Sequence, residues 1–295
     1  MKIKTSIYQK IFDVINNIFM LFMIVIMLYP IWHVVVGSFS DNSLLIGHTG
    51  VLLHPLGFST NAYKLMLKNP MILKGFANTL FIVVCGVALN ITFTSLGAYV
   101  LSRKDLLFRR LFMMLITFTM FFSGGLIPTY LLVSKTLGLN DTYAAIILPT
   151  LINTYNLIIM RTSFESIPAS LEESASLDGA NDWLILYRII IPLSMPVIAV
   201  MILYYAVGHW NAWFNANIYL KTREKFPLQL ILREILISND TTAMTGGGGD
   251  ASDQMSMGET VKYAVVVTAT VPILIVYPFL QKYFVKGVMI GAVKG

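Results

Sequence analysis

Glu173-Ser174-Ala175-Ser176-Leu177-Asp178-Gly179-Ala180, with nine residues separating Gly179 from Ile189-Ile190-Ile191-Pro192, is a polar, helix-friendly insert between two strongly apolar stretches. Apolar spans are usually joined by short connections, so an ordered loop of this size needs a reason. Upstream, Pro168-Ala169-Ser170-Leu171-Glu172-Glu173 reads as a helix start, with Ser170 at the N-cap and Glu173 three residues on to complete a capping box. Asp178-Gly179 ends that helix, because glycine accepts the left-handed conformation that other residues resist. An amphipathic second segment, 180–190, leads to Pro192. The short helix presents small side chains, which let another protein approach closely, and a carboxylate able to accept an arginine in two-pronged fashion.

On either side the chain is apolar. Of 295 residues, 56% are hydrophobic and 12% charged, against about 25% charged in soluble domains. The mean hydropathy of +0.73 places it among integral membrane proteins. Six stretches approach the ~20 residues that cross a bilayer: 14–36, 76–101, 111–134, 143–160, 193–220 and 263–279. None contains Asp, Glu, Lys or Arg. Intramembrane charge marks ion and proton coupling, so a secondary transporter is disfavoured and the energy for transport must come from elsewhere. The first stretch is too long for a signal-peptide core and is interrupted by Pro30 and His33, which predicts a retained span. Cys85 is the single cysteine and has no intrachain disulfide partner.

The net charge of +6 forms no single patch, which argues against nucleic acid as a partner. With the N-terminus inside, the inner segments 1–13, 102–110, 161–192 and 280–295 hold twelve of the 21 basic residues, most densely at Arg103-Lys104 and Arg109-Arg110. The positive-inside bias thus predicts both termini and the Glu173 loop on the cytoplasmic side. Pro30, Gly124-Gly125 with Pro128, Pro149, Pro196, Pro272 and Pro278 predict bent helices. Of the longer outer segments, 37–75 is expected to carry a short helix near 61–67, and 221–262 a surface helix over 227–237 and a flexible tip at Gly246–Gly249. That glycine run lacks the Gly-Lys-Ser/Thr of a phosphate cradle.

Between Ser166 and Pro196 the chain resembles the coupling loop of binding-protein-dependent ABC importer permeases of the carbohydrate group. Their pattern, Glu-Ala-Ala, three residues, Gly, nine residues, Ile-x-Leu-Pro, reads here Glu173-Ser174-Ala175, Gly179, Ile189 and Ile191-Pro192. Ser174 and Ile191 depart from it conservatively. The segments 123–130, 156–161, 208–215 and 281–295 are similar to a branch of sugar permeases associated with lipoprotein binding components. The resemblance implies an all-α integral membrane fold of six transmembrane helices with a cytoplasmic coupling helix. It implies a cytoplasmic N-terminus at 1–13 and a single permease domain over 14–295, with its coupling loop at 163–192.

The implied function is that of a permease subunit of an ATP-driven importer, moving a carbohydrate across the bacterial plasma membrane by alternating access. ATPase coupling would fall to Glu172, Glu173, Ser174, Ala175, Asp178, Gly179 and Ala180, with Glu173 matching the acid that bonds an arginine of the ATPase. No cofactor is expected in this chain, with ATP and Mg held by partner ATPase subunits, and neither a catalytic residue nor a metal ligand is expected. The implied partners are a second homologous permease subunit, two ATPase subunits, an extracellular substrate-binding lipoprotein and membrane lipid. Aromatic faces and side-chain amides suit sugars, and this makes Asn153, Tyr155, Asn156, His209, Trp210, Asn211, Trp213 and Asn215 candidates for the substrate path. The same residue types also gather at membrane interfaces and glue helices together. Alternatives are a permease for a non-sugar solute such as an amino acid or polyamine, and a membrane enzyme of polysaccharide assembly. The only loose acidic candidates for such an enzyme are Asp240, Asp250 and Asp253.

Overall fold

A computed structural model describes residues 6–238 and 258–292, with side chains of the last helix described only in part. Gly246–Gly249 and the three aspartates of residues 240–253 lie outside the described residues, as do 293–295. The described residues are helical apart from connecting loops and one isolated bridge, Ser40 to Phe58.

All six apolar stretches fall on helices. Two are single helices long and apolar enough to cross a membrane: α1, Ile7–Ser38, and α4, Pro70–Ser102. The third is α5, Arg109–Phe121, and α6, Leu126–Leu131, whose last turn widens to a π-turn ending at Thr136; the pair bends by 108°. Gly125 makes that break with φ +84. The fourth is α7, Ala144–Ile147, a 3-10 turn to Thr150, and α8, Thr154–Glu165, bent by 51°, where the Asn153 side chain accepts the Asn156 N–H and restarts the helix. The fifth is α12, Met195–Trp210, with α13, Phe214–Tyr219; α10, Asp182–Ile185, and α11, Ile191–Leu193, lead into it at a bend of 85°. The sixth lies in α15, Gly258–Ala292. By length and composition the described residues hold two unbroken candidate spans, or up to five if each bent pair is one span, and a shorter apolar run, Thr260–Val276.

The chain divides into two compact units. One draws on Met1–Pro70 and Ile235–Thr270. In it, α2, Asn42–Ile46, and α3, Asn61–Lys68, follow α1. Val36, Leu45 and Leu52 are buried together against Tyr263, whose ring lies so close to Gly37 that a Cβ there would sit 2.8 Å away.

The other unit draws on Met71–Glu234 and Val271–Gly295. Its axis is α4, opened by Pro70 at the first helical position, where the missing N–H costs nothing. One stripe of α4 is buried at three- and four-residue spacing and mixes isoleucines with small and polar side chains: Ile72, Gly75, Thr79, Ile82, Gly86, Asn90 and Thr94, with Ser95 beside it. Its small and polar residues meet α14 first, then α12 and finally α8, so α4 works as a ruler. Gly75 and Thr79 meet α14, Leu228–Ser238: the Leu228 N–H donates to Thr79 Oγ1 at 2.8 Å, and a Cβ on Gly75 would lie 2.5 Å from Ile231. The expected surface helix is therefore corrected. Leu228, Leu230, Ile231 and Leu232 are buried, because the stripe on α4 leaves room for them. Further along, Thr94 meets the Tyr205 hydroxyl of α12 at 2.7 Å, and Ser95 the Met160 sulfur of α8 at 3.4 Å. Around this seam lies a core that includes Ala98, Met160, Ile190 and Met201, all fully buried.

Candidate functional site

Two sites are separated along α4. At 33 residues and ~1.5 Å per residue the helix is roughly 50 Å long, and its two ends belong to different chemistry.

At its C-terminal end the last carbonyls need partners. The Leu101 carbonyl accepts from two arginines, Arg109 Nε and Arg161 Nε, each at 3.0 Å. Both cations suit a helix C-terminus, and both are paired with Glu165. Burial lowers the Arg161 pKa, as does the nearby Arg109. A second cluster docks α9, Ala169–Leu177. Arg103 pairs with Glu172, lies 3.5 Å from Asp182, and stacks 4.1 Å over the Tyr99 ring. Tyr99 in turn donates to Asp182 at 3.3 Å. Burial, with Asp182 adding to it, raises the Glu172 carboxyl from its ordinary value.

The capping-box expectation at Ser170 and Glu173 is corrected. Pro168 takes the N-cap position with no side-chain cap, so α9 starts two residues earlier than a Ser170 cap requires. Ser170 falls in the first turn, and Glu173 is left exposed. The helix stop is formed as expected. Gly179 has φ +83, and the Ala180 and Gly179 N–H groups return to the carbonyls of Ala175 and Ser176, a Schellman closure. Of the coupling candidates, Glu172 is thus used within the chain. Glu173, Ser174, Asp178 and Gly179 face outward, and Ala175 and Ala180 pack against the core. Leu177, at 89% exposure, is an apolar side chain held out next to them. A cleft of about 630 Å³ runs behind α9, between it, residues 102–105 and the end of α8.

Midway along α4 is the second site, a cavity of about 280 Å³. It brings together Asn153, Asn156, His209 and Asn215 of the candidates, with Thr150, Tyr204 and Tyr205. His209 is buried and its Nε2 lies 2.6 Å from Asn90 Oδ1, while Asn90 Nδ2 donates to the carbonyls of Thr150 and Leu151. Close approach of the two helices requires Gly86, where a Cβ would lie 2.5 Å from the His209 ring. The other candidates are not brought to this cavity. Tyr155 is exposed on α8, and Asn211 is exposed and donates to its own helix at Val207. Trp210 is buried edge-on to Phe76 and lines a separate apolar hollow of about 150 Å³. Trp213 packs against Phe214 and carries the Arg233 guanidinium 4.1 Å above its ring.

Sequence reasoning passed over Asn90, Thr94 and Tyr205, which hold the cavity wall. The signal was present as small and polar residues at helical spacing inside an apolar run. Arg103 and Arg109 served only as topology markers, although each pairs with an acid of the polar loop or of the helix leading into it.

Residues 5–290 match the protein family described as binding-protein-dependent transport system inner membrane component. The chain is 44% identical to the polygalacturonan/rhamnogalacturonan transport system permease protein YtcP of Bacillus subtilis (strain 168), over 97% of this chain and 99% of that protein. It is 43% identical to protein LplC of the same organism, over 97% and 96%. Among solved structures it resembles a bacterial ABC transporter involved in the import of the acidic polysaccharide alginate, with TM-score 0.87 and 34% identity, covering 96% of this chain and all of that one.

Proposed function

The chain belongs to the family of binding-protein-dependent transport system inner membrane components, and from that premise we propose that it is the permease subunit of an ATP-driven importer that moves an oligosaccharide across the bacterial plasma membrane by alternating access. The observation that carries the mechanism is the division of labour between adjacent acids on α9. Glu172 is bound to Arg103 at the end of α4, whereas Glu173, the next residue on the same short helix, is exposed and has no ion pair among the described residues. A helix anchored by one acid and presenting the next is built to transmit force from a docked partner into the spans.

In this reading both termini and α9 are cytoplasmic, which the positive-inside bias supports. One permease domain covers 14–295, with residues 163–192 as the coupling loop. Two ATPase subunits bring ATP and Mg, a second homologous permease completes the pathway, and an extracellular binding lipoprotein delivers cargo. Carbohydrate cargo is supported by the relatives' names and by the amide- and hydroxyl-lined cavity of Asn153, Asn156 and Asn215. Neither a non-sugar cargo nor an enzyme of polysaccharide assembly draws support from these similarities.

The test uses the assembled transporter in liposomes. Glu173→Ala is expected to lower substrate-stimulated ATP hydrolysis about tenfold or more, the loss of a charge-assisted contact, with normal subunit assembly. Glu172→Ala is expected to lower thermal stability instead. Full stimulated turnover in Glu173→Ala would remove the coupling role.

A further inference from the structure

We propose that Arg233, held on the face of Trp213, is an anchor for the carboxylate of an acidic sugar at the end of the path opposite α9. This deepens the carbohydrate-importer reading and rests on it.

Around the start of α4 the charged side chains are mostly committed. Lys74 pairs with Glu224 at 3.3 Å, Arg223 with Glu234 at 3.2 Å, and Lys225 with Asp141 at 2.9 Å. Lys68, Lys221 and Arg233 have no carboxylate partner among the described residues, and of these three only Arg233 is half-buried. Its guanidinium lies 4.1 Å from the Trp213 ring centroid. Stacking occupies the face of a guanidinium and leaves the N–H donors radiating from its edge. Those donors are in the geometry that grips a carboxylate with two parallel hydrogen bonds. Trp213 also removes much of the entropy that a free arginine side chain would lose on binding.

Position ties this pair to the cavity. Trp213 lies between Ala212 and Asn215, both of which line it, and packs against the cluster that contains Ile146, another lining residue. The cavity lining offers amides, hydroxyls and the imidazole of His209, whose Nε2 is bound to Asn90, but no lysine or arginine. A uronate would therefore find hydroxyl partners in the cavity and its counter-charge at Arg233.

The test measures uptake of trigalacturonate, its methyl ester and a neutral trisaccharide by liposomes holding the complete transporter and its binding protein. Arg233→Gln should lower uptake of the acid about tenfold or more, Arg233→Lys should recover part of it, and whatever ester uptake occurs should not change. Unchanged acid uptake in Arg233→Gln, or equal loss of acid and ester, overturns the proposal and leaves the carbohydrate reading standing. So does a wild-type transporter that moves the neutral trisaccharide but not trigalacturonate. A wild-type transporter that moves none of the three overturns both.

Discussion

The Nε2 of His209 lies 2.6 Å from Oδ1 of Asn90, and this fixes the ring's proton as well as its position. Both amide hydrogens of Asn90 are used by the carbonyls of Thr150, at 2.8 Å, and Leu151, at 2.7 Å. Turning the amide over would set its oxygen against two other oxygens. Oδ1 must therefore face the imidazole and can only accept, so Nε2 carries the hydrogen. One side chain of α4 thereby ties α12 to the break between α7 and α8.

That bond should register as coupling. Asn90→Ala and His209→Ala are each expected to destabilise the assembled transporter. In a double-mutant cycle of thermal unfolding the pair should show about 0.5–2 kcal/mol of non-additivity. Strictly additive losses would mean that the two side chains act separately.

Asp141 gives a pH dependence of defined sign. Thr222 Oγ1, Lys225 Nζ and the backbone N–H groups of Thr222 and Lys221 all donate to its carboxylate, which holds it well below the usual carboxylate range. Its φ of +56 is one that aspartate tolerates. Because the folded-state pKa is depressed, the stabilisation is fully present above the ordinary Asp value of about 3.9 and is lost as pH falls through the folded value. Protection of the Lys221 and Thr222 amides, corrected for intrinsic exchange rates, should be flat above about pH 5 and fall only in stronger acid. Asp141→Ala should show the low protection at every pH. Protection that fell between neutrality and about pH 5 would point to a different group.

Gly179 isolates backbone strain from packing. No atom lies within 4 Å of where its Cβ would be, yet φ is +83. Alanine there should cost about 1–2 kcal/mol from the left-handed conformation alone, and asparagine less. Substrate-stimulated ATP hydrolysis should rank wild type, then Gly179→Asn, then Gly179→Ala. Equal rates would show that the end of α9 need not be fixed for coupling.

Much of this was legible in the chain. The six apolar stretches landed on helices because a run of ~20 uncharged residues has few other options, and Gly125 and Gly179 broke helices where the sequence puts glycine. Local signals failed where a distant residue decided the outcome. Ser170 and Glu173 satisfy a capping box on paper, but Pro168 took the cap. Residues 227–237 carry the pattern of a surface helix, but Gly75 and Thr79, some 150 residues earlier in the chain, made a berth for them. Asn90 finds its partners 60, 61 and 119 residues away, at separations no local motif reports. Of the candidate path residues, the cavity collects four, and Trp210 and Trp213 pack elsewhere.

The third, fourth and fifth apolar stretches are interrupted, whereas α4 runs its 33 residues as one helix with no proline after the first. A stiff member of that kind cannot absorb motion by flexing. It can only pivot, and about 10° of tilt carries the tip of a rod roughly 50 Å long some ~9 Å sideways. Movements at the Arg103 anchor too small to rearrange α9 itself would then be amplified at the far end, where Gly75 and Thr79 hold the helix that carries Arg233.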